Sequence, residues 1–458
     1  MARYQNTINT NISWIPQIPN HWNLMKVNAL FQERKCKVSD KVFSPLSVTK
    51  KGILPQLEHA AKTNNGDNRK LVKAGDFVIN SRSDRKSSCG VSQLDGSVSL
   101  INIVLTPREE LNGKYIHYLL RNYRFSEEYY RNGRGIVADL WTTRYSEMKS
   151  ILIPVPPRTE QEQIVRFLDW KVSEINKLIG IKLKRILNIR DYEKQVINEK
   201  VLNGLYSSDL KYSGNKWIDC IPDNWKIIPL GKFCSFQNGI SESGDFFTSG
   251  TPFVGYGDVY RYIELPIKVN GKAQANKKQQ ELFSVQKDDI FFTRTSENLE
   301  EIGMAAVCSH TIDKAVFSGF LIRCRQKEKY VIANYMKYYL QIPAVRNHFS
   351  SNVNIVIRAS LSQNLLKTLP IVIPPENEQR EIASYLDLKH TEFEKVIEIT
   401  TKEIEELNEL KNTLISDVVT GKIDVRNIEI PAYEHVEDVV GDGEENAEEL
   451  ADAEETEA

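Results

Sequence analysis

The chain has 458 residues, 41% apolar and 26% charged, which suits a folded globular protein of two to four domains. Its formal net charge of −1 hides an asymmetry: residues 434–458 carry 12 Asp and Glu and no Lys or Arg, which leaves +11 on residues 1–433. No apolar run can span a bilayer, the opening "MARYQNTINTNISW" has no apolar signal core, and the six cysteines (Cys36, Cys89, Cys220, Cys234, Cys308, Cys324) form no C-x-x-C pair, so membrane, secreted disulfide-framework and structural-zinc classes are set aside for a reduced, cytoplasmic setting.

The first landmark is "SWIPQIPNHWNL" (13–24). Downstream, "DFVIN" (76–80) and "SLINIVL" (99–105) read as strands, being rich in β-branched and aromatic residues. "KYIHYLLRNYRFSEEYYR" (114–131) has helical spacing. At Val155, "VPPRTEQEQIVRFLD" sets tandem prolines before a long helical pattern. Its apolar seam runs Leu168, Val172, Ile175, Ile179, Ile186, Ile189, Val196, with Lys182 and Glu193 interrupting. Thr159 followed by Glu162 fits a capping box, and Gly204 marks the end. That is about 45 residues, or roughly 66 Å of helix at ~1.5 Å per residue.

After the polar stretch "YSSDLKYSGN" (206–215) the pattern recurs. "KWIDCIPDNWKI" (216–227) matches the first landmark: Trp14, Pro19 and Trp22 correspond to Trp217, Pro222 and Trp225 at an offset of 203. "DIFFTR" (289–294) and "FLIRCR" (320–325) are strand-like, and "NYMKYYLQIPAVRNHF" (334–349) is helical. "IPPENEQREIASYLD", from Ile373, repeats the proline box at an offset of 218. Glu160, Gln161 and Asp169 correspond there to Glu378, Gln379 and Asp387, without a gap through Val201 and Val419. Asn377 is the expected N-cap of this second helix. Its seam runs Leu386, Phe393, Val396, Thr400, Ile404, Leu407, Leu410, Leu414, Val418. The middles match only faintly, "AGDFVINSR" (74–82) lying beside "KDDIFFTRT" (287–295).

The expected fold is therefore α+β: two mixed α/β domains separated by two long helices that pair as an antiparallel coiled coil, with a pseudo-twofold internal repeat. The expected boundaries are 1–157 and 217–375 for the variable domains, 158–205 and 376–433 for the helices, 206–216 for a linker and 434–458 for an acidic disordered tail. Constant frames around divergent middles suit two different recognition surfaces.

No Walker A loop and no G-x-G-x-x-G after a strand is present, no acidic-x-Lys follows Pro222-Asp223 closely, and the seven His show no metal-ligand spacing. Cys308 and His310 form a lone C-x-H, read as structural. No catalytic, cofactor or metal site is expected. The basic body instead suits a polyanion. Candidate nucleic-acid contacts are Ser81, Arg82, Ser83, Arg85 and Lys86 in the first half, and Arg294, Thr295 and Ser296 at the equivalent place in the second. Lys50, Lys51, Arg69, Lys70, Tyr256, Lys277, Lys278 and Arg358 join them. Arg and Lys suit phosphates and guanine edges, and Ser and Thr suit either base or backbone. The bland alternative for each is a solvated surface, and for the whole chain a coiled-coil scaffold that binds proteins.

The two "PP-x-x-EQ-x-x-I-x-x-(F/Y)LD" boxes, the two "W-x-x-x-IP-x-x-W" boxes and the ending "LISDVVTGKIDVR" (414–426) resemble the specificity subunit of Type I restriction–modification enzymes, HsdS, over nearly the whole chain to about Pro431. The resemblance implies two target recognition domains, each reading one half of an asymmetric bipartite double-stranded DNA sequence, with the helices setting the spacer. It implies two methyltransferase subunits and motor–endonuclease subunits as partners. It also places S-adenosylmethionine, ATP and Mg²⁺ in those partners rather than in this chain. The acidic tail lies outside the family pattern.

Overall fold

The computed structural model describes residues 2–56, 66–108, 111–135, 141–206, 209–242, 244–296, 301–352 and 359–437. The chain divides into two units, residues 1–184 with 400–458, and residues 185–399. In chain order the elements that matter are β1 (Phe31–Glu33), β2 (Phe77–Asn80), β3 (Cys89–Val91), β4 (Asn102–Pro107), α1 (Gly113–Arg121), α2 (Tyr123–Arg131) and the long α3 (Arg158–Asn203). They are followed by β5 (Cys234–Asn238), β6 (Ile290–Thr293), β7 (Ala305–Val307), β8 (Leu321–Gln326), α4 (Ala333–Tyr339), α5 (Pro343–Ser350) and the long α6 (Glu376–Val419). Each unit thus takes one variable segment and a part of both long helices.

The faint similarity of the middles conceals one sheet used twice. In the first unit the order is β3-β2-β4-β1, in the second β7-β6-β8-β5, antiparallel throughout. The central strands β2 and β6 are buried at all four positions, so they read as apolar runs rather than alternations. Successive residues still face opposite ways. Phe77 and Ile79 join a core with Tyr115, Leu119 and Phe125, while Val78 packs with Val72, Val98 and Val104. In the second unit Ile290 and Phe292 join Tyr335, Tyr339 and Phe349, while Phe291 packs with Val254 and Phe317. Each central strand is entered through a tight turn at positive φ, Gly75 (93°) and Asp288 (70°). The next residue, Asp76 or Asp289, is buried and caps the turn, accepting from the amides of Lys73 and Gln286 at 2.9 and 2.8 Å. Arg34 and Arg325 neutralise these carboxylates through paired hydrogen bonds. The second sheets diverge: strands 96–98, 69–72 and 37–38 are antiparallel, whereas 251–254 runs parallel to 316–317.

Several local expectations change. Segment 114–131 is two helices, because Asn122 is extended (φ −67°, ψ 149°) and caps α2 through Phe125 N–H. Segment 334–349 also breaks, with Pro343 opening α5. The long helices start two residues earlier than N-caps at Thr159 and Asn377 would place them, directly after each proline pair. The Pro157 carbonyl accepts from Glu160 and Gln161 N–H, and the Pro375 carbonyl from Gln379 N–H. The stretch 206–216, read as a linker, holds strand Leu210–Asn215, which pairs with Ile218–Pro222. It repeats the N-terminal hairpin Thr7–Asn9/Gln17–Pro19 in register, Leu210 opposing Pro222 as Thr7 opposes Pro19.

The repeated boxes turn out to be mounting points. Gln161 donates to Pro156 O (2.9 Å) and accepts from Asn112 N–H (2.9 Å); Gln379 donates to Pro374 O (2.9 Å) and accepts from Ile332 N–H (2.9 Å). Glu160 binds Tyr4 and His21, and Glu378 binds Asn224 and Trp225. Asp169 receives Tyr118 and Lys114, and Asp387 receives Tyr338 and Lys337. Tyr115 reaches the Val419 carbonyl at the end of α6, as Tyr335 reaches the Val201 carbonyl near the end of α3. Both helices stop at glycines of positive φ, Gly204 (79°) and Gly421 (75°). The Trp225 and Trp22 rings lie so close that a Cβ there would sit 3.2 and 3.1 Å from them. Each variable segment is therefore bolted to the start of one helix and the end of the other.

The helices run antiparallel within each unit. Lys182 meets Glu403 (2.7 Å) and Asn176 meets Lys411 (3.2 Å) in the first. Glu193 meets His390 (2.7 Å) and Tyr192 packs on Phe393 in the second. The two polar residues that interrupt the α3 seam are thus both paired across the helices. After α6 the chain doubles back in the first unit: Asp424 N–H bonds Ala2 O, Gln163 donates to Val425 and Ile428 carbonyls, and Lys177 meets Glu434 (3.3 Å). The first residues of the expected acidic tail, up to Glu437, are therefore described, with contacts at Glu434 and Val436; the rest lies outside the described residues.

Candidate nucleic-acid interface

In the first unit β2 leads directly into the polar stretch Ser81–Ser88. Ser81 is buried, and its carbonyl accepts from Thr143 N–H (2.8 Å) while Ser83 N–H donates to Trp141 O (3.0 Å). This clamp holds the short turn Ser83–Arg85 just beyond the end of the central strand β2. Arg82 is partly exposed with Asp84 at 3.4 Å, and Lys86 pairs with Glu127 (3.0 Å) above the Tyr130 ring. Ser83, Asp84 and Lys86 line a cleft of about 900 Å³ whose other walls include Trp14, Tyr123, Arg124, Arg131 and Trp141. The aromatic walls come from segments far apart in sequence. The i,i+4 pattern of Arg and Glu along α2 is the one local signal for them.

In the second unit β6 leads into Arg294–Ser296, clamped in the same way: Leu361 N–H donates to Arg294 O (2.7 Å), and Thr295 pairs with Ser360. The loops occupy equivalent places, but their arginines do not. Ser81 corresponds to Arg294, and Arg82, bridged to Thr142, corresponds to Thr295. A one-residue shift on an extended strand points a side chain to the opposite face. Arg82 and Arg294 therefore serve their domains from different sides of the same clamp. Tyr256 stacks on Tyr260 (5.8 Å, 19°), next to this loop. Burial, then the nearby Glu301 carboxylate, pushes the Tyr256 phenol up, so it remains a neutral donor.

The other candidates separate. Lys50 and Lys51 are exposed at the turn of the hairpin Leu46–Thr49/Gly52–Pro55, and Lys277 and Lys278 open a helix capped by Asn276. Arg69 is 6% exposed, and its guanidinium is committed to the Ser97 hydroxyl (2.9 Å) and carbonyl (3.0 Å). Lys70 donates to Asn102 O (2.6 Å). Burial lowers the pKa of both. These two cations hold a strand in place and offer little to a ligand, because their neighbours on strands 96–98 and β4 take their donors. Arg358 lies outside the described residues. Cys308 is a buried thiol bonded to the His310 carbonyl and pushed up to about 12 by burial, so the C-x-H is structural. Among the described residues no helix is long and apolar enough to cross a membrane.

Residues 222–409 match the family described as Type I restriction modification DNA specificity domain. The chain is 23% identical over 338 residues to a putative type I restriction enzyme specificity subunit, MjaX, of Methanocaldococcus jannaschii, covering 71% of each. It is 19% identical over 419 residues to the EcoKI specificity subunit of Escherichia coli, covering 87% of this chain and 82% of that one. A solved chain described with the complex assembly and conformational transition of the type I R-M system superposes with a TM-score of 0.63 at 14% identity, over 89% of this chain and 99% of that one. At that identity the likeness speaks for the fold.

Proposed function

We propose that this chain is a specificity subunit of the Type I restriction–modification family, to which its similarities point, and that it reads double-stranded DNA at two half-sites, one through each unit. The observation that carries this is the clamped loop after β2 and β6: the same sheet, in the same order, presents Ser-Arg-Ser-Asp-Arg-Lys in one unit and Arg-Thr-Ser in the other. Reading two different sequences from one frame requires that arrangement, because base edges are told apart by the donors and acceptors placed against them. The +11 charge of residues 1–433 supplies the phosphate neutralisation that brings a duplex in. In this reading the chain is non-catalytic. Two methyltransferase subunits modify adenine, which must leave the stack to be reached, and motor–endonuclease subunits cut. S-adenosylmethionine, ATP and Mg²⁺ bind in those partners.

The test is a domain exchange in cells that carry the methyltransferase subunits. Replacing residues 226–370 by the corresponding segment of another family member changes one half of the methylated sequence and leaves the other. Both halves changing refutes the modular reading. Purified chain whose duplex binding is indifferent to salt and sequence returns it to the class of protein scaffolds.

A further inference from the structure

The helix pair of the second unit holds a group of side chains that DNA reading does not use. Glu193 interrupts the apolar seam of α3, and its side chain is only 14% exposed. A carboxylate there needs a positive partner, because an unpaired buried charge is costly. His390 on α6 faces it, Nδ1 lying 2.7 Å from Glu193 Oε1. Glu394 follows His390 by one turn on the same face of α6. One ligand atom from each of the three residues lies within 4.8 Å of the other two. Arg190 lies 4.0 Å from Glu394 and is half exposed, so it can swing into solvent.

We infer that Glu193, His390 and Glu394 bind a divalent transition-metal ion of the zinc class. One imidazole nitrogen and two carboxylates make a donor set of borderline softness, and a fourth position stays open to water on the exposed side. Ca²⁺ and Mg²⁺ are disfavoured, since they ask for six or more oxygens. At bond lengths of about 2.0–2.2 Å the ligand atoms stand roughly 3.3 Å apart, so the Glu193–His390 pair opens from 2.7 Å while Glu394 draws in, a rotamer adjustment for three side chains of which two are half exposed. The ion replaces the hydrogen between Glu193 and His390, and the imidazole proton leaves to solvent. Two ligands come from α6 and one from α3, so the ion bolts the helices together at the seam's polar break. The sequence conceals this site, because Glu193 and His390 are 197 positions apart. The inference does not depend on the DNA reading.

The experiment uses the full chain, stripped with chelator, with Cys36→Ser and Cys220→Ser removing the two exposed thiols. Co²⁺ absorption and the Zn²⁺ dependence of Tm are measured in this parent, in His390→Ala and in Glu394→Gln. The parent shows visible Co²⁺ bands that saturate at one equivalent, without a thiolate charge-transfer band, and a Tm that rises with Zn²⁺. Each substitution weakens binding by about tenfold or more, the scale on which even second-shell changes weaken metal sites. Glu394 is half exposed, so Glu394→Gln leaves the metal-free Tm unchanged and separates lost ligation from lost folding. No Zn²⁺ response in the parent, or one that survives in both variants, overturns the site.

Discussion

Replacing Gln379 with Ala tests whether the repeated boxes are mounting points. The side chain is 1% exposed and makes three hydrogen bonds: it accepts from Ile332 N–H and donates to the Tyr330 and Pro374 carbonyls, all at 2.9 Å. Its counterpart Gln161 makes two, accepting from Asn112 N–H and donating to Pro156 O. A net hydrogen bond contributes about 1 kcal/mol, and a buried group stripped of its partner costs about 1–3 kcal/mol. Gln379→Ala should therefore cost about 3–5 kcal/mol and Gln161→Ala about 2–3 kcal/mol. The assay is urea unfolding followed by tryptophan fluorescence, combined with hydrogen exchange at the Ile332 and Asn112 amides. Each variant should accelerate exchange in its own unit only, and Gln379→Ala should shift the midpoint further. Changes below about 0.5 kcal/mol in both, the range of ordinary surface substitutions, would refute the reasoning and leave the twin Glu-Gln pairs without a structural purpose.

Arg82→Ala and Arg294→Ala should each weaken duplex binding by about 1–3 kcal/mol if each reads a base edge. Fluorescence anisotropy with each half-site randomised in turn should show specificity lost at one half per variant; unchanged affinity and specificity in both would return these loops to solvated surface. A pH dependence follows from the ion pair Lys337–Glu264 (3.0 Å). Burial pushes the Glu264 carboxyl up, but hydrogen bonds from Ser309 and Lys337 outweigh it and hold it below 4.5. Burial pushes Lys337 down, but Asp387 and Glu264 outweigh it and hold it above 10.5. The carboxylate's contribution is complete above pH 4.5 and lost as pH falls through its lowered folded value; that of the lysine is complete below pH 10.5 and lost as pH rises through its raised one. Lys337→Met should flatten both limbs of a plot of urea midpoint against pH, and a profile parallel to the parent's would sink the assignment.

The duplication, the long helices and the central strands were readable because their signals are local. A three-four apolar step, a proline pair or a run such as "DFVIN" needs only neighbouring residues to specify its element. The offset of 218 shared by Glu160/Glu378, Gln161/Gln379 and Asp169/Asp387 announced that two places in the fold make the same contacts. It did not say which contacts, since the partners Asn112, Ile332, Tyr118 and Tyr338 lie about 50 positions away, in segments that match only faintly.

Residue type and spacing established an α+β chain with a repeated frame and two polar loops at equivalent places. Tertiary structure decided which charges remain for a ligand. Arg69 and Arg82 look alike in sequence, yet Ser97 occupies the first and the second is partly exposed beyond the end of β2. Arg82 and Arg294 look like partners, yet the clamps at Thr142 and Ser360 set them one residue out of register. Glu193 looks like a flaw in a seam, yet the opposite helix brings His390 to it. In each case the deciding group is remote along the chain. Hydrogen bonds and ion pairs act over about 3 Å in space, so only the folded arrangement determines which donors and charges are already taken.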